Sequence, residues 1–125
     1  MDNQSAHILV VDDEEPLLKD LDVTLREAGY TTTLAEHGKE ALTLLKGKTF
    51  DAVLLDLVMP HEDGFQVLAA MRRVPGAPPI IVTSNLAHPE DIARAKALGA
   101  REYFVKAVHL PNIVNHVNGV LASAV

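Results

Sequence analysis

Four places in this 125-residue chain set a reactive side chain at or just after the end of a short apolar run. Asp12 and Asp13 follow His7-Ile-Leu-Val-Val11. Asp56 comes near the end of the run that opens at Ala52, Ser84 follows Ile80-Ile-Val-Thr83, and Lys106 follows Tyr103-Phe-Val105. Gathered in one place, three carboxylates repel one another and favour protonation unless a cation neutralises them. Mg²⁺ suits such a set, since it takes oxygen ligands, keeps waters and typically uses one or two carboxylates plus phosphate oxygens. A carboxylate neutralised in this way can attack a phosphoryl group and carry it as an aspartyl phosphate. That transfer depends mainly on positioning and charge stabilisation. Lys106 can pair with one phosphoryl oxygen, Ser84 can donate a hydrogen bond to a second, and the cation can hold a third.

The signals differ in weight. Asp-Asp after a strand is, alone, more often a solvated turn. Ser84 alone is as readily a cap, and Lys106 alone as readily a strand-end lysine that snorkels to water. Asp56 is sharper, because an unpaired charge within Val53-Leu-Leu-Asp-Leu-Val-Met-Pro60 costs several kcal/mol unless it has a use. The conjunction on four separate loops is what points to a site.

Such a set needs a frame that brings four strand ends to one edge. The pattern predicts strands at 7–11, 31–35, 52–57, 80–83 and 103–105, each β-branched or densely apolar as in strands buried on both faces. Between them lie helical stretches. One runs from Glu14 to Gly29 with Leu17, Leu18, Leu21 and Leu25 at helical spacing, Pro16 in its first turn and Gly29 to end it. Others are predicted at Lys39–Lys46, with Leu42 and Leu45 inward, from Asp63 with an Asp63/Gln66 capping box, at Pro89–Leu98 ended by Gly99, and at Leu110–Leu121. Five strand-then-helix units predict an α/β fold: a doubly wound five-stranded parallel sheet covered on both faces. In such folds ligands bind outside the carboxyl ends of the strands, where the strand order switches.

The length fits one domain spanning 1–125, with no repeat or linker to divide it. With no cysteine, neither disulfides nor thiolate chemistry is available, which suits a reducing compartment. A formal charge of −6 disfavours direct binding to nucleic acid or an anionic membrane. Met1 to Ser5 lack the layout of a signal peptide and no apolar run approaches a membrane span, so a cytoplasmic protein is expected.

Four segments together carry a specific resemblance: Val10-Val-Asp-Asp-Glu14, Asp56-Leu-Val-Met-Pro-His-Glu-Asp-Gly64, Pro79-Ile-Ile-Val-Thr-Ser84 and Leu98-Gly-Ala-Arg-Glu-Tyr-Phe-Val-Lys106. The chain resembles, over nearly its whole length, the receiver domains of two-component response regulators. That resemblance implies a (βα)5, flavodoxin-like receiver fold with strand order 2-1-3-4-5. It makes Asp56 the phosphoacceptor, served by a phosphohistidine donor in a Mg²⁺-dependent reaction, with Mn²⁺ as a substitute ion. Asp13 would ligate the metal directly, Asp12 mostly through water, and the Val58 backbone carbonyl would complete the protein ligands. Ser84, five residues after Pro79, would contact the phosphoryl group with Lys106, and Tyr103 would be the switch aromatic. The signalling surface would be the fourth helix, fifth strand and fifth helix. Partners would be a sensor histidine kinase or histidine phosphotransfer protein, docking near Leu17 and Leu18, and an output domain or downstream protein. The chain would be a self-phosphorylating and self-dephosphorylating phosphoacceptor, not a turnover enzyme.

Two positions depart from the family pattern. Ala107 replaces the proline that usually follows the lysine, and Glu62 replaces a residue that is commonly apolar, adding negative charge near the site. Apolar Val58 and Leu86 cannot position an attacking water, which predicts a long-lived phosphate. Three rival readings exist. A phosphatase with an Asp nucleophile would need a second Asp two residues on, where Val58 stands. A flavodoxin-type carrier would need a phosphate loop after the first strand. A receiver-like module that docks without taking phosphate is favoured only by the loss of the lysine-proline step.

Overall fold

The computed structural model describes residues 6–59, 62–85, 88–106 and 112–123. Five strands, β1 (His7–Val11), β2 (Thr31–Ala35), β3 (Ala52–Asp56), β4 (Ile80–Ser84) and β5 (Glu102–Val105), form one sheet in the order β2-β1-β3-β4-β5. Every pairing in it is parallel. The helices are α1 (Glu15–Glu27), α2 (Gly38–Gly47), α3 (Gly64–Arg72), α4 (Pro89–Ala97) and α5 (Ile113–Ser123). This is the predicted doubly wound fold with the predicted strand order.

Side-chain alternation along the strands divides the core in two. Ile8, Val10, Leu54, Ile81 and Phe104 pack against Leu18, Leu21 and Leu25 of α1 and Ile113, Val117 and Val120 of α5. Leu9, Val11, Val53, Leu55 and Val82 pack against Ala41 and Leu45 of α2, Val67, Leu68 and Met71 of α3, and Ala95 of α4. With helices on both faces, all five residues of β3 are buried, which is why that strand reads as an unbroken apolar run. Its terminal Asp56 is the exception in type, and it too is buried.

The strand order reverses at β1, which pairs with β2 on one side and β3 on the other. The crevice between the carboxyl ends of β1 and β3 is therefore where Asp12, Asp13 and Asp56 emerge. Helix boundaries follow local chemistry. Pro16 lies in the first turn of α1, and Gly29 (φ 99°) and Gly99 (φ 109°) turn the chain after α1 and α4 in a conformation that costs other residues more. The start expected for the last helix, at Leu110, lies outside the described residues.

The structure differs from the predicted pattern in several places. Strand β3 stops at Asp56 instead of Leu57, and β4 continues through Ser84. After β3 the chain makes a small antiparallel ladder, Val58 opposite Asp63 and Met59 opposite Glu62. Asp63 caps α3, but its carboxylate accepts from the Phe65 N–H (2.9 Å) and Gln66 is exposed, so the expected reciprocal box is half built. Among the described residues no helix is long and apolar enough to cross a membrane.

Gly64 marks the tightest approach, where α3 starts beside the residue after Asp56. A Cβ there would lie 2.1 Å from the Leu57 carbonyl oxygen and 2.4 Å from its Cα, both backbone atoms with nowhere to go. At Gly47 an added Cβ meets nothing within 4 Å. Gly64→Ala is expected to destabilise the fold by about 1–3 kcal/mol or more, while Gly47→Ala is neutral or stabilising by up to ~1 kcal/mol. Urea unfolding of the two variants beside wild type checks the contrast.

Candidate functional site

Asp12 follows β1, and its backbone N–H still bonds to the Ala35 carbonyl (3.1 Å), so the sheet itself fixes where this carboxylate sits. One carboxylate oxygen accepts from the Glu14 N–H at 2.9 Å. The other accepts from Lys106 Nζ at 2.7 Å, in an ion pair whose side chains are 1% and 6% exposed. The same ammonium lies 3.2 Å from Asp56 Oδ2 and 3.5 Å from Glu14 Oε1. Asp56 Oδ1 accepts the Val58 N–H at 3.0 Å. Asp12, Asp13 and Asp56 each offer a carboxylate oxygen within 4.8 Å of the others. Asp13 is half-buried and keeps access to water. Four of the expected residues thus meet at the switch point.

Electrostatics there are unbalanced. Burial pushes the Asp56 carboxyl up to about 6; the Lys106 charge and the Val58 N–H oppose that rise, and the Asp12 charge adds to it. Lys106 is pulled down by burial, yet its bond to Asp12 and the charges of Asp56 and Asp12 outweigh this and hold it above the ordinary lysine value. Asp12, Asp13 and Asp56 against one ammonium leave two formal negative charges, to which Glu14 at the rim adds a third, a deficit that a divalent cation would reduce. The donors are hard oxygens, gathered and partly open to water, and they fit Mg²⁺.

The remaining expected residues fall nearby. Val58 is 52% exposed at the start of the small ladder. Ser84 closes β4, fully buried, as the register partner of Val105. Alternation puts it on the strand face of Val82, the face on which Tyr103 packs. Burial raises the Tyr103 phenol, a side-chain hydrogen bond with Ser84 opposes this, and the charges of Asp91 and Asp56 add to the rise. Thr83, one residue before Ser84, is buried beside Asp56 as its register partner, on the strand face of Ile81. Ala107 and Leu86 lie outside the described residues.

Two contacts were not foreseen. Glu14 reaches Lys106, although its place after Asp12-Asp13 gave a hint. Glu62 sends its carboxylate to the start of α2, where Oε1 accepts from the Gly38 N–H (2.7 Å) and Oε2 from the Lys39 N–H (3.2 Å). Its charge answers a helix N-terminus. Only a paired reading of 38 and 62, distant in sequence, would have found it.

Comparison with known proteins gives the family and agrees with the fold. Residues 8–118 match the model of the response regulator receiver domain, and the chain belongs to that family. It is 38% identical over 109 residues to the transcriptional regulatory protein GlrR of Escherichia coli (strain K12), covering 86% of this chain and 24% of that protein. It is 34% identical over 117 residues to the transcriptional regulatory protein PrrA of Mycobacterium tuberculosis, covering 94% and 50%. The chain therefore spans from 24% to 50% of the length of these curated relatives. Among solved structures, the receiver domain of Francisella response regulator 1452 superposes with a TM-score of 0.89 at 27% identity, covering 97% of this chain and all of that one. The response regulator TrrA of Thermotoga maritima, in complex with Mg²⁺-BeF, gives 0.81 at 32% identity, covering 92% and 98%. In two-component systems phosphoryl transfer from a histidine kinase is the general mechanism, and response regulators pair with kinases and output domains.

The raised Asp56 carboxyl has a measurable consequence. Between its ordinary value of 3.8 and about 6 the folded chain holds a proton that the unfolded chain has released, so stability falls as pH rises through that window. Fully ionised, the buried carboxylate costs at most ~3 kcal/mol. Without divalent cations, Asp56→Asn is expected to melt above wild type at pH 7.5, with the difference closing towards pH 4. Thermal unfolding of both proteins across that range is the measurement.

Proposed function

We propose that this chain acts across residues 1–125 as a receiver that takes a phosphoryl group on Asp56 from a phosphohistidine donor and signals by a change of surface. The observation that carries this is the buried meeting of Asp12, Asp56 and Lys106, with Asp13 alongside. In the transfer, an Asp56 carboxylate oxygen forms a bond to phosphorus while the bond from phosphorus to the donor imidazole nitrogen breaks. The electron pair of that bond returns to the imidazole. Lys106, held by Asp12, is placed to exchange one carboxylate contact for a phosphoryl oxygen. The Ser84 hydroxyl donates to another. Mg²⁺, or Mn²⁺ in its place, would be held by Asp12, Asp13, Asp56 and the Val58 backbone carbonyl, and would supply the positive charge that lets phosphoryl and carboxylate oxygens approach. Asp56 is both acceptor and ligand, so the chain is consumed and regenerated in each cycle and is not a turnover enzyme.

The signal follows from who shares Ser84. Its hydroxyl bonds with Tyr103, whose phenol also feels the Asp56 charge. Drawing Ser84 towards a phosphoryl group changes what Tyr103 meets on the side of α4. The readout surface is then α4, β5 and α5, shifting between two packings under one charge event. The donor is a sensor histidine kinase or histidine phosphotransfer protein that docks by α1 around Leu17 and Leu18. The partner that reads the changed surface is an output domain or downstream protein. The setting is cytoplasmic, and neither nucleic acid nor membrane is bound directly by this domain.

Incubation with Mg²⁺ and acetyl phosphate is expected to add one phosphoryl group to wild type and none to Asp56→Asn by intact mass; equal labelling of both would refute the assignment. Because Val58 is apolar and exposed beside the acceptor, it offers no group to orient water. The phosphorylated protein is expected to lose label slowly. A decay complete within seconds, without added phosphatase, would contradict that role for Val58.

A further inference from the structure

We infer that Glu62 is a positioning residue for the acceptor loop, bracing it against α2; the inference rests on the phosphoacceptor reading above. The brace is a continuous run of bonds. The first two amides of α2, Gly38 and Lys39, both donate to the Glu62 carboxylate. Glu62 pairs across the small ladder with Met59, and the next pair is Val58 with Asp63. Val58 in turn donates its N–H to Asp56 Oδ1, and its carbonyl is the proposed backbone ligand of the cation. From helix to acceptor there is no step without a backbone or carboxylate contact.

The fit around the brace is close. A Cβ on Gly38 would lie 2.5 Å and 2.9 Å from the two γ-carbons of Val67 and 3.0 Å from Glu62 Oε2. A bare α-carbon at the start of α2 is what lets a carboxylate from the neighbouring loop reach two amides at once. Asp63, the residue after Glu62, caps α3 through the Phe65 N–H, so the far end of the loop is tied as well. The short segment after Asp56 is thereby fastened to two helices by successive acidic residues.

A loop held in this way keeps the Val58 carbonyl where the cation needs it and leaves less ordering to be done on binding. An apolar side chain at 62 could fill the same space beside Val67 but could not bond to α2. The charge of Glu62 is matched by the helix N-terminus and acts as an anchor instead of a rival ligand.

The experiment compares the full chain with Glu62→Met, Glu62→Gln and, as a control, Glu40→Gln. Glu40 also bonds at the start of α2, to the Glu36 N–H, without touching the loop. Mg²⁺ affinity is read by calorimetry or amide chemical shifts, with melting temperature measured alongside. Glu62→Met is expected to weaken Mg²⁺ on the order of tenfold, as lost supports of metal ligands do. Glu62→Gln should weaken it less, and Glu40→Gln should leave it unchanged even where it lowers the melting temperature. If Glu62→Met lowers the melting temperature with no loss of Mg²⁺ affinity, Glu62 is a helix cap and nothing more. Equal losses in Glu62→Met and Glu40→Gln would likewise overturn the brace, since any disturbance of α2 would then suffice. Wild type binding Mg²⁺ no better than Asp56→Asn would instead bring down the phosphoacceptor reading, and the brace with it.

Discussion

Lys106 lies 2.7 Å from Asp12 and 3.2 Å from Asp56, with all three side chains at most 6% exposed, and the surrounding structure is organised by what that contact leaves unbalanced. A buried ion pair gains little net stability, because desolvation offsets most of the attraction. Here the arithmetic is worse than for a pair. One ammonium serves two buried carboxylates and, at 3.5 Å, the exposed one of Glu14; Asp13 lies beside the same carboxylates, and burial holds the Asp56 carboxyl near 6. An apolar trio of similar size would make a more stable strand edge. Keeping this arrangement at the centre of its sheet costs the chain stability, a cost that the proposed cation and phosphoryl site would account for.

The fold meets that cost with parallel strands and oriented helices. Each crossover helix runs back against its strands, so helix N-termini gather at the carboxyl edge of the sheet, bringing partial positive charge to the side that carries the aspartates. The side chains follow the same polarity. Glu15, Glu40, Glu90 and Asp91 lie in first turns, and Arg26, Lys46, Arg72 and Arg94 in last turns. Glu62, from a loop and not a helix, completes the pattern at α2.

Much of this was legible in the order of residues. Continuous apolar runs of β1, β3 and β4 announced strands covered on both faces, and the glycines at 29 and 99 marked helix ends that the structure places within a residue or two. Asp12, Asp13, Asp56 and Lys106 were legible because each breaks an apolar pattern at its end, and one sheet edge collects such ends. What escaped depends on contacts between residues far apart in sequence. The ladder of 58–59 with 62–63 has no periodicity to read, being two residues a side. Glu62 looked like an added charge near the site, because its partners, backbone amides 23 and 24 residues earlier, leave no mark on side-chain pattern. The capping box was half right for a similar reason: residue types permit both bonds, but only coordinates say which amide the Asp63 carboxylate faces.

Thr83 and Ser84 show how strand alternation sorts function from support. Both are buried hydroxyls, one residue apart, and composition cannot separate them. The pleat sends Thr83 to the Ile81 face, where it sits beside Asp56 in the static frame of the site. It sends Ser84 to the Val82 face, where its hydroxyl is shared with Tyr103 and where α4 packs. A group bonded only within the acidic pocket can stabilise a phosphoryl oxygen but cannot report it. Ser84, at the last position of β4 and bonded to an aromatic of β5, is the group proposed above to do both. That position, more than the hydroxyl itself, is why the signalling role proposed above falls to Ser84 and not to Thr83.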